Sequence, residues 1–199
     1  AALKAAGFSP YQIDVIVLTH CHPDHVSGMM EDGKATFPNA RYVAGDVEYN
    51  FWSKKEHLES SDDNMKRRAQ AVHNNVVPLA EKMKFIKAGD DVVTGITSVG
   101  SFGHTPGHLC YNIESGGKRF LIFGDVTNHY VASLEKPDWH CAFDMDAEKA
   151  AETRKKILDM IATDKVACTG YHMPFPAVGF VEKQGSGFRW VPASYQLDL

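Results

Sequence analysis

Cysteine is scarce and scattered in this chain: there are four in 199 residues, Cys21, Cys110, Cys141 and Cys168, with no Cys-x-x-Cys spacing among them. Cys110 and Cys168 fall in strand-like segments and read as buried free thiols, so no redox compartment follows from them. Long apolar runs are missing too; no stretch approaches the roughly 20 residues that a membrane-spanning helix needs. An excess of positive charge is absent. The 21 Lys and Arg stand against 25 Asp and Glu, a formal net charge of −4, which leaves no electrostatic footprint for nucleic acid. There is no internal repeat and no low-complexity tract. The sequence as read does not start with methionine, no signal peptide is expected within it, and residues 1–7 read as the end of a helix closed by Gly7. What is present is 44% apolar residues in a length suited to one domain with a real core.

The rest of the chain is organised around residues 19–25, Thr-His-Cys-His-Pro-Asp-His. Three imidazoles and one carboxylate fall within six consecutive positions. They follow an apolar, β-branched run at 13–18, which predicts a buried strand. Because that run is apolar on both faces, it is expected inside a sheet with covered faces. Ends of strands are where α/β proteins place their ligands. In extended backbone His20 and His22 point to one side and Cys21 to the other. Pro23 suits the first turn of a short helix that carries Asp24 and His25 to a neighbouring point. A lone histidine here would be an ordinary polar loop residue. Four donors at this spacing point instead to a metal, and imidazole with carboxylate suits zinc, iron, manganese or cobalt.

The remaining pattern alternates short strands and helices. Strands are expected at 41–44, 84–86, 91–93, 97–99, 166–169, 178–181 and 188–191, and a hairpin at 109–113 and 119–123 around Ser115-Gly116-Gly117. Helices are expected at 46–53, 64–76, 78–83 and from Asp144 or Asp146 to about Ala162. The last has an apolar stripe of Ala147, Ala150, Ala151, Ile157, Leu158 and Ile161. The polar stretch 54–64 reads as a mobile connection.

The motif His-x-His-x-Asp-His resembles the signature of the metallo-β-lactamase superfamily. Three further segments resemble its other ligand motifs: 103–108 (Gly-His-Thr-Pro-Gly-His), Phe123-Gly124-Asp125 and Gly170-Tyr171-His172. The resemblance implies an α/β fold, the four-layer αβ/βα sandwich. It also implies that residues 1–199 are a single metallo-hydrolase domain, the carboxy-terminal two-thirds of a full one. On the order of a hundred residues are then expected to precede this segment. The ligands implied are His20, His22 and His104 for one metal, and Asp24, His25 and His172 for a second, with Asp125 bridging; Asp24 and Asp125 are the catalytic carboxylates. Two divalent cations per chain, zinc first with iron, manganese or cobalt as alternatives, would generate a bridging hydroxide near neutral pH.

Within the superfamily, Asp125 stands where the commonest metal-dependent β-lactamases have cysteine. His22 stands where flavodiiron proteins have glutamate. The inserted domain of the nucleases and the appended helical domain of glyoxalase II types are not in this sequence. The text at 37–40, 46–52, 103–108 and 188–192 resembles the branch of methyl parathion hydrolase, lactonases and arylesterases. That implies a small-molecule lactone, aryl ester or phosphotriester substrate, no nucleic-acid or membrane partner, and a homodimer. Trp52 matches an aromatic pocket position of that branch; Phe51, His129, Phe143 and Met173 are further candidates. His108 is expected to support its neighbours, and His57, His73 and His140 to be solvated. A mononuclear-iron persulfide dioxygenase and a non-catalytic metal-binding fragment are the alternatives.

Overall fold

The computed structural model describes residues 2–193. The chain forms two compact units, Ala1–Ile86 and Lys87–Leu199. The first opens with α1 (Ala2–Ala5), followed by β1 (Val15–Val17) and the single-turn helix α2 (Pro23–Val26). A tight hairpin follows, β2 (Met30–Glu31) and β3 (Lys34–Ala35), turning at Asp32 and Gly33, both with positive φ. Then come β4 (Arg41–Gly45), α3 (Asp46–Trp52), α4 (Asp63–Asn75) and β5 (Met83–Ile86). β1, β4 and β5 form a parallel sheet in that order.

Four expectations are corrected here. The run at 13–18 makes an edge strand whose Val15–Val17 are only half-buried, because among the described residues β4 alone pairs with it. The stretch expected to be a mobile connection contains a 3-10 helix, Lys55–Glu59, and leads into α4 through an N-cap in which Asp62 accepts the Asn64 N–H at 2.9 Å. Its anchor is aromatic: the His57 ring lies 4.6 Å from that of Phe51, so His57 is packed rather than solvated. The segment at 78–83 is also 3-10, Val77–Lys82.

The second unit contains β6 (Asp91–Val93), β7 (Ile96–Gly100), β8 (Leu109–Ser115), β9 (Lys118–Ile122), α5 (Ala132–Glu135), α6 (Ala147–Asp164), β10 (Ala167–Thr169), β11 (Val178–Gln184) and β12 (Gly187–Pro192). They make a seven-stranded sheet ordered β12-β11-β10-β9-β8-β7-β6. Every neighbouring pair is antiparallel except β9 and β10. A parallel pair needs a crossover, and α5 and α6 lie within it. Asp146 is the N-cap of α6, accepting the Lys149 N–H at 3.0 Å. The α6 stripe of Ile157, Leu158 and Ile161 packs into a core with Leu121, Phe123, Cys168 and Val181. No helix among the described residues is long and apolar enough to cross a membrane.

Candidate metal centre

In the first unit the parallel pair β1–β4 positions the motif. Leu18 extends the pairing by donating to Val43 C=O at 2.9 Å, and the chain then leaves the sheet as the His20–His25 loop. Pro23 sits in the first turn of α2, as its fixed φ and missing N–H favour. The rings of His20 and His22 are 4.8 Å apart at 81°, and those of His20 and His25 are 4.1 Å apart. His20 and His22 are buried, while Asp24 is about half exposed with Oδ2 3.5 Å from His25 Nε2. All four expected ligands of this segment are therefore together.

A buried carboxylate braces the loop from below. Glu48 on α3 accepts the Cys21 N–H at 2.8 Å and the Trp52 indole N–H at 2.9 Å, both on Oε1. The Cys21 thiol faces this packing and not solvent. Burial, and after it the charge of Glu48, pushes its pKa well above the ordinary thiol value. Trp52 is fully buried with its ring 5.8 Å from that of His22, and Phe51 stacks edge-on to it at 5.1 Å.

In the second unit the register of β9 and β10 does the positioning. Ile122 pairs with Thr169, and Asp125 and His172 each lie three residues beyond that pair. The strand ends stay locked past the sheet: Phe123 N–H donates to Thr169 C=O at 2.9 Å, and Tyr171 N–H to Gly124 C=O at 3.2 Å. Gly170 is required by this close approach, since a Cβ there would lie 1.9 Å from the Phe123 ring. His172 Nε2 is 3.1 Å from Asp125 Oδ2, and His104 Nε2 is 3.5 Å from the same oxygen. The third segment, at 103–105, is docked on the start of α6. Asp146 N–H donates to Gly103 C=O at 2.9 Å, and Met145 N–H to His104 C=O at 3.1 Å. Gly103 has φ of 126°, and a Cβ on it would meet the Ala150 backbone nitrogen at 2.3 Å.

His108 is fully buried and its tautomer can be worked out. Nε2 accepts the Asp125 backbone N–H at 3.1 Å, so the proton is on Nδ1 and donates to Ser101 Oγ at 2.7 Å. The Ser101 hydroxyl then donates to His108 C=O at 3.2 Å. His108 thus supports the backbone of Asp125, as expected. His104 Nδ1 lies 2.8 Å from Asp144 Oδ1, and a carboxylate only accepts, so His104 turns Nε2 toward Asp125. An imidazole held through its second nitrogen by a carboxylate is the usual arrangement of a metal-ligating histidine. This donor set, imidazole nitrogens converging on a carboxylate, fits a divalent cation of the zinc type.

Of the remaining pocket candidates, Met173 belongs to the hydrophobic core of its unit and Phe143 is 60% exposed. His129 Nδ1 accepts the N–H groups of Val131 and Ala132, both at 3.1 Å, which gives it a local capping role at the start of α5. Three supporting residues were not anticipated: Glu48, Asp144 in this role, and Arg154. Arg154 falls between Ala151 and Ile157 on the apolar stripe of α6, and a charged residue on a buried stripe was the available signal.

The family model of the metallo-beta-lactamase superfamily matches residues 1–166. No curated protein matches the sequence significantly. Among solved structures, the hydrolase AbOPH, described as in the beta lactamase superfamily, is 32% identical over 98% of this chain and 69% of its own, with a TM-score of 0.90. AidC, a dizinc quorum-quenching lactonase in complex with a product, is 30% identical with the same coverages and TM-score. A probable metal-dependent hydrolase from Staphylococcus aureus is 21% identical over 98% of this chain and 68% of its own, with a TM-score of 0.77, a likeness of fold.

Proposed function

The chain belongs to the metallo-beta-lactamase superfamily and has its fold, and from that premise we propose that it is a dinuclear metal-dependent hydrolase of lactones, with aryl esters and phosphotriesters as further substrates. In this reading His20, His22 and His104 would hold one cation, and Asp24, His25 and His172 the other, with Asp125 available to both. The observation that carries the reading is the convergence of His104 and His172 on one oxygen of Asp125, with His104 turned by Asp144. Two divalent cations, zinc first, would supply Lewis acidity toward the carbonyl or phosphoryl oxygen and would lower the pKa of bound water.

The chain's own part is placement. The His108 ring fixes the Asp125 backbone, and Glu48 fixes the backbone between His20 and His22. Asp24, the most exposed ligand, lies on the open side of its loop. A lactone is the first substrate because the 30%-identical structure is a dizinc lactonase.

The test is a hydrolysis panel on the zinc-, manganese-, cobalt- or iron-reconstituted chain, with γ- and δ-lactones, acyl-homoserine lactones, aryl esters and phosphotriesters, beside a metal count. Two metals per chain with lactone turnover is the expected result. One iron per chain and no hydrolysis would replace this reading with the persulfide dioxygenase one, and bound metal with no turnover with the non-catalytic fragment. A mass measurement of the same sample tests the homodimer.

A further inference from the structure

We propose that Arg154 is a positioning residue that, through Asp144, selects the tautomer and orientation of His104. The proposal rests on the reading of His104 as a metal ligand. Arg154 is buried in the middle of α6, where a guanidinium is tolerated only if its donors are satisfied. Four of its five N–H donors are satisfied, all by the segment from Val126 to Asp144. Nε donates to Val126 C=O at 2.9 Å, Nη1 to Pro137 C=O at 3.1 Å and to Trp139 C=O at 2.8 Å, and Nη2 to Asp144 Oδ2 at 2.9 Å. Asp144 spends its other oxygen, Oδ1, on His104 Nδ1. The two oxygens therefore have fixed roles, one facing a guanidinium that only donates and the other facing the imidazole.

The consequence is specific. A carboxylate side chain with no exposed surface, clamped from one side by Arg154, can only accept on its other side. His104 must put its proton on Nδ1, and Nε2 is left as the ligand nitrogen. The same guanidinium holds the carbonyl of Val126, the residue after Asp125. One helix side chain thus ties together the supports of two ligands that lie 21 positions apart (125 − 104).

Asp144→Asn is the discriminating variant, because it keeps the shape and changes one group. Arg154 still demands an acceptor, so the amide oxygen turns to Arg154 and the amide NH2 faces His104. That forces the proton onto Nε2, the nitrogen that should bind metal. In the metal-free full chain, nitrogen-15 spectra of His104, assigned with His104→Ala, should show the proton on Nδ1. In Asp144→Asn it should move, and zinc affinity measured against a chromophoric chelator should fall about 10–100-fold. Arg154→Lys, which cannot span the four acceptors, should also weaken zinc, and the double variant should lose less than the product of the two single losses.

A proton on Nε2 of His104 in the unsubstituted chain overturns the proposal without need of any variant. So does unchanged zinc affinity in Asp144→Asn. If His104→Ala binds zinc as the unsubstituted chain does, the reading of the site fails and the proposal with it. That result is distinguishable, because the tautomer shift in Asp144→Asn does not depend on zinc.

Discussion

In the first unit four candidate ligands fall within six residues of one loop, whereas in the second three are spread over positions 104 to 172. The support differs accordingly. In the compact cluster one carboxylate, Glu48, accepts an N–H from the middle of the loop, and the Thr19 hydroxyl lies 3.1 Å from His20 Nδ1. The dispersed cluster is braced through side chains: Asp144 on His104, Arg154 on Asp144 and His108 on the backbone of Asp125. Sequence neighbours share one chain path, so a single backbone brace serves them all. Ligands brought from three strand ends and turns must each be oriented separately, and the supporting residues are as dispersed as the ligands.

The largest effect expected is on the dispersed side. Asp125→Ala removes the one carboxylate on which two imidazoles converge. Turnover should be abolished and at least one metal per chain lost on analysis. Normal turnover with two metals retained would break the idea that the dispersed cluster is organised around Asp125.

The next variant tests how that cluster is docked. Gly103→Ala places a Cβ against the Ala150 backbone at a φ of 126° that side chains rarely adopt. Backbone strain of about 1–3 kcal/mol adds to overpacking of about 1–3 kcal/mol. The urea midpoint should fall, and zinc affinity should fall with it because His104 is the next residue. A variant that loses stability while zinc affinity holds would show that the turn at 103–105 can shift without moving its imidazole.

The two units also differ in what could be read in advance. The loop at 20–25 was legible because all its donors are adjacent and an apolar run precedes them. The position of Asp125 and His172 was legible by resemblance and agrees with the register of β9 and β10, each three residues past a paired position. Arg154 was not, because an amphipathic stripe read as hydrophobic skips the one charged member on the buried face. The sequence offers Asp144 as an alternative cap of α6, a role that belongs to Asp146. The carboxylate thereby freed turns to His104, a partner 40 residues away that no local pattern reveals. The edge position of β1 was missed for a related reason. Apolar residues on both faces report burial, and they do not report how many neighbours a strand has.

On the compact side, Glu48→Ala leaves the Cys21 N–H and the Trp52 indole N–H without their acceptor, at about 1–3 kcal/mol each. Glu48→Gln keeps an oxygen for both and should cost roughly half as much, since only the charge assistance is lost. Denaturant unfolding of both variants orders them. Equal losses would mean that the charge of Glu48, and not its geometry, is what the loop needs.

The effect that is smallest per step measured separates buried thiols by pH. Burial pushes Cys110 and Cys168 up to about 12 from an ordinary 9.0, with a Ser101 hydrogen bond opposing this at Cys110. Each thiol also donates to a carbonyl, Cys110 to Phe123 at 3.6 Å and Cys168 to Gly179 at 3.5 Å, which favours the protonated form. Below pH 9 the folded and unfolded chains both keep these protons. Between 9 and 12 the folded chain binds more protons than the unfolded one, so stability falls as pH rises through that window. Each thiol contributes at most about 1.4 kcal/mol per pH unit to the slope. Urea midpoints at pH 8, 9, 10 and 11 should decline more steeply for the unsubstituted chain than for Cys110→Ala or Cys168→Ala, and least steeply for the double variant. Parallel declines in all four proteins would mean that the alkaline loss comes from other groups. The two thiols would then be packing atoms with no part in the pH dependence of the second unit.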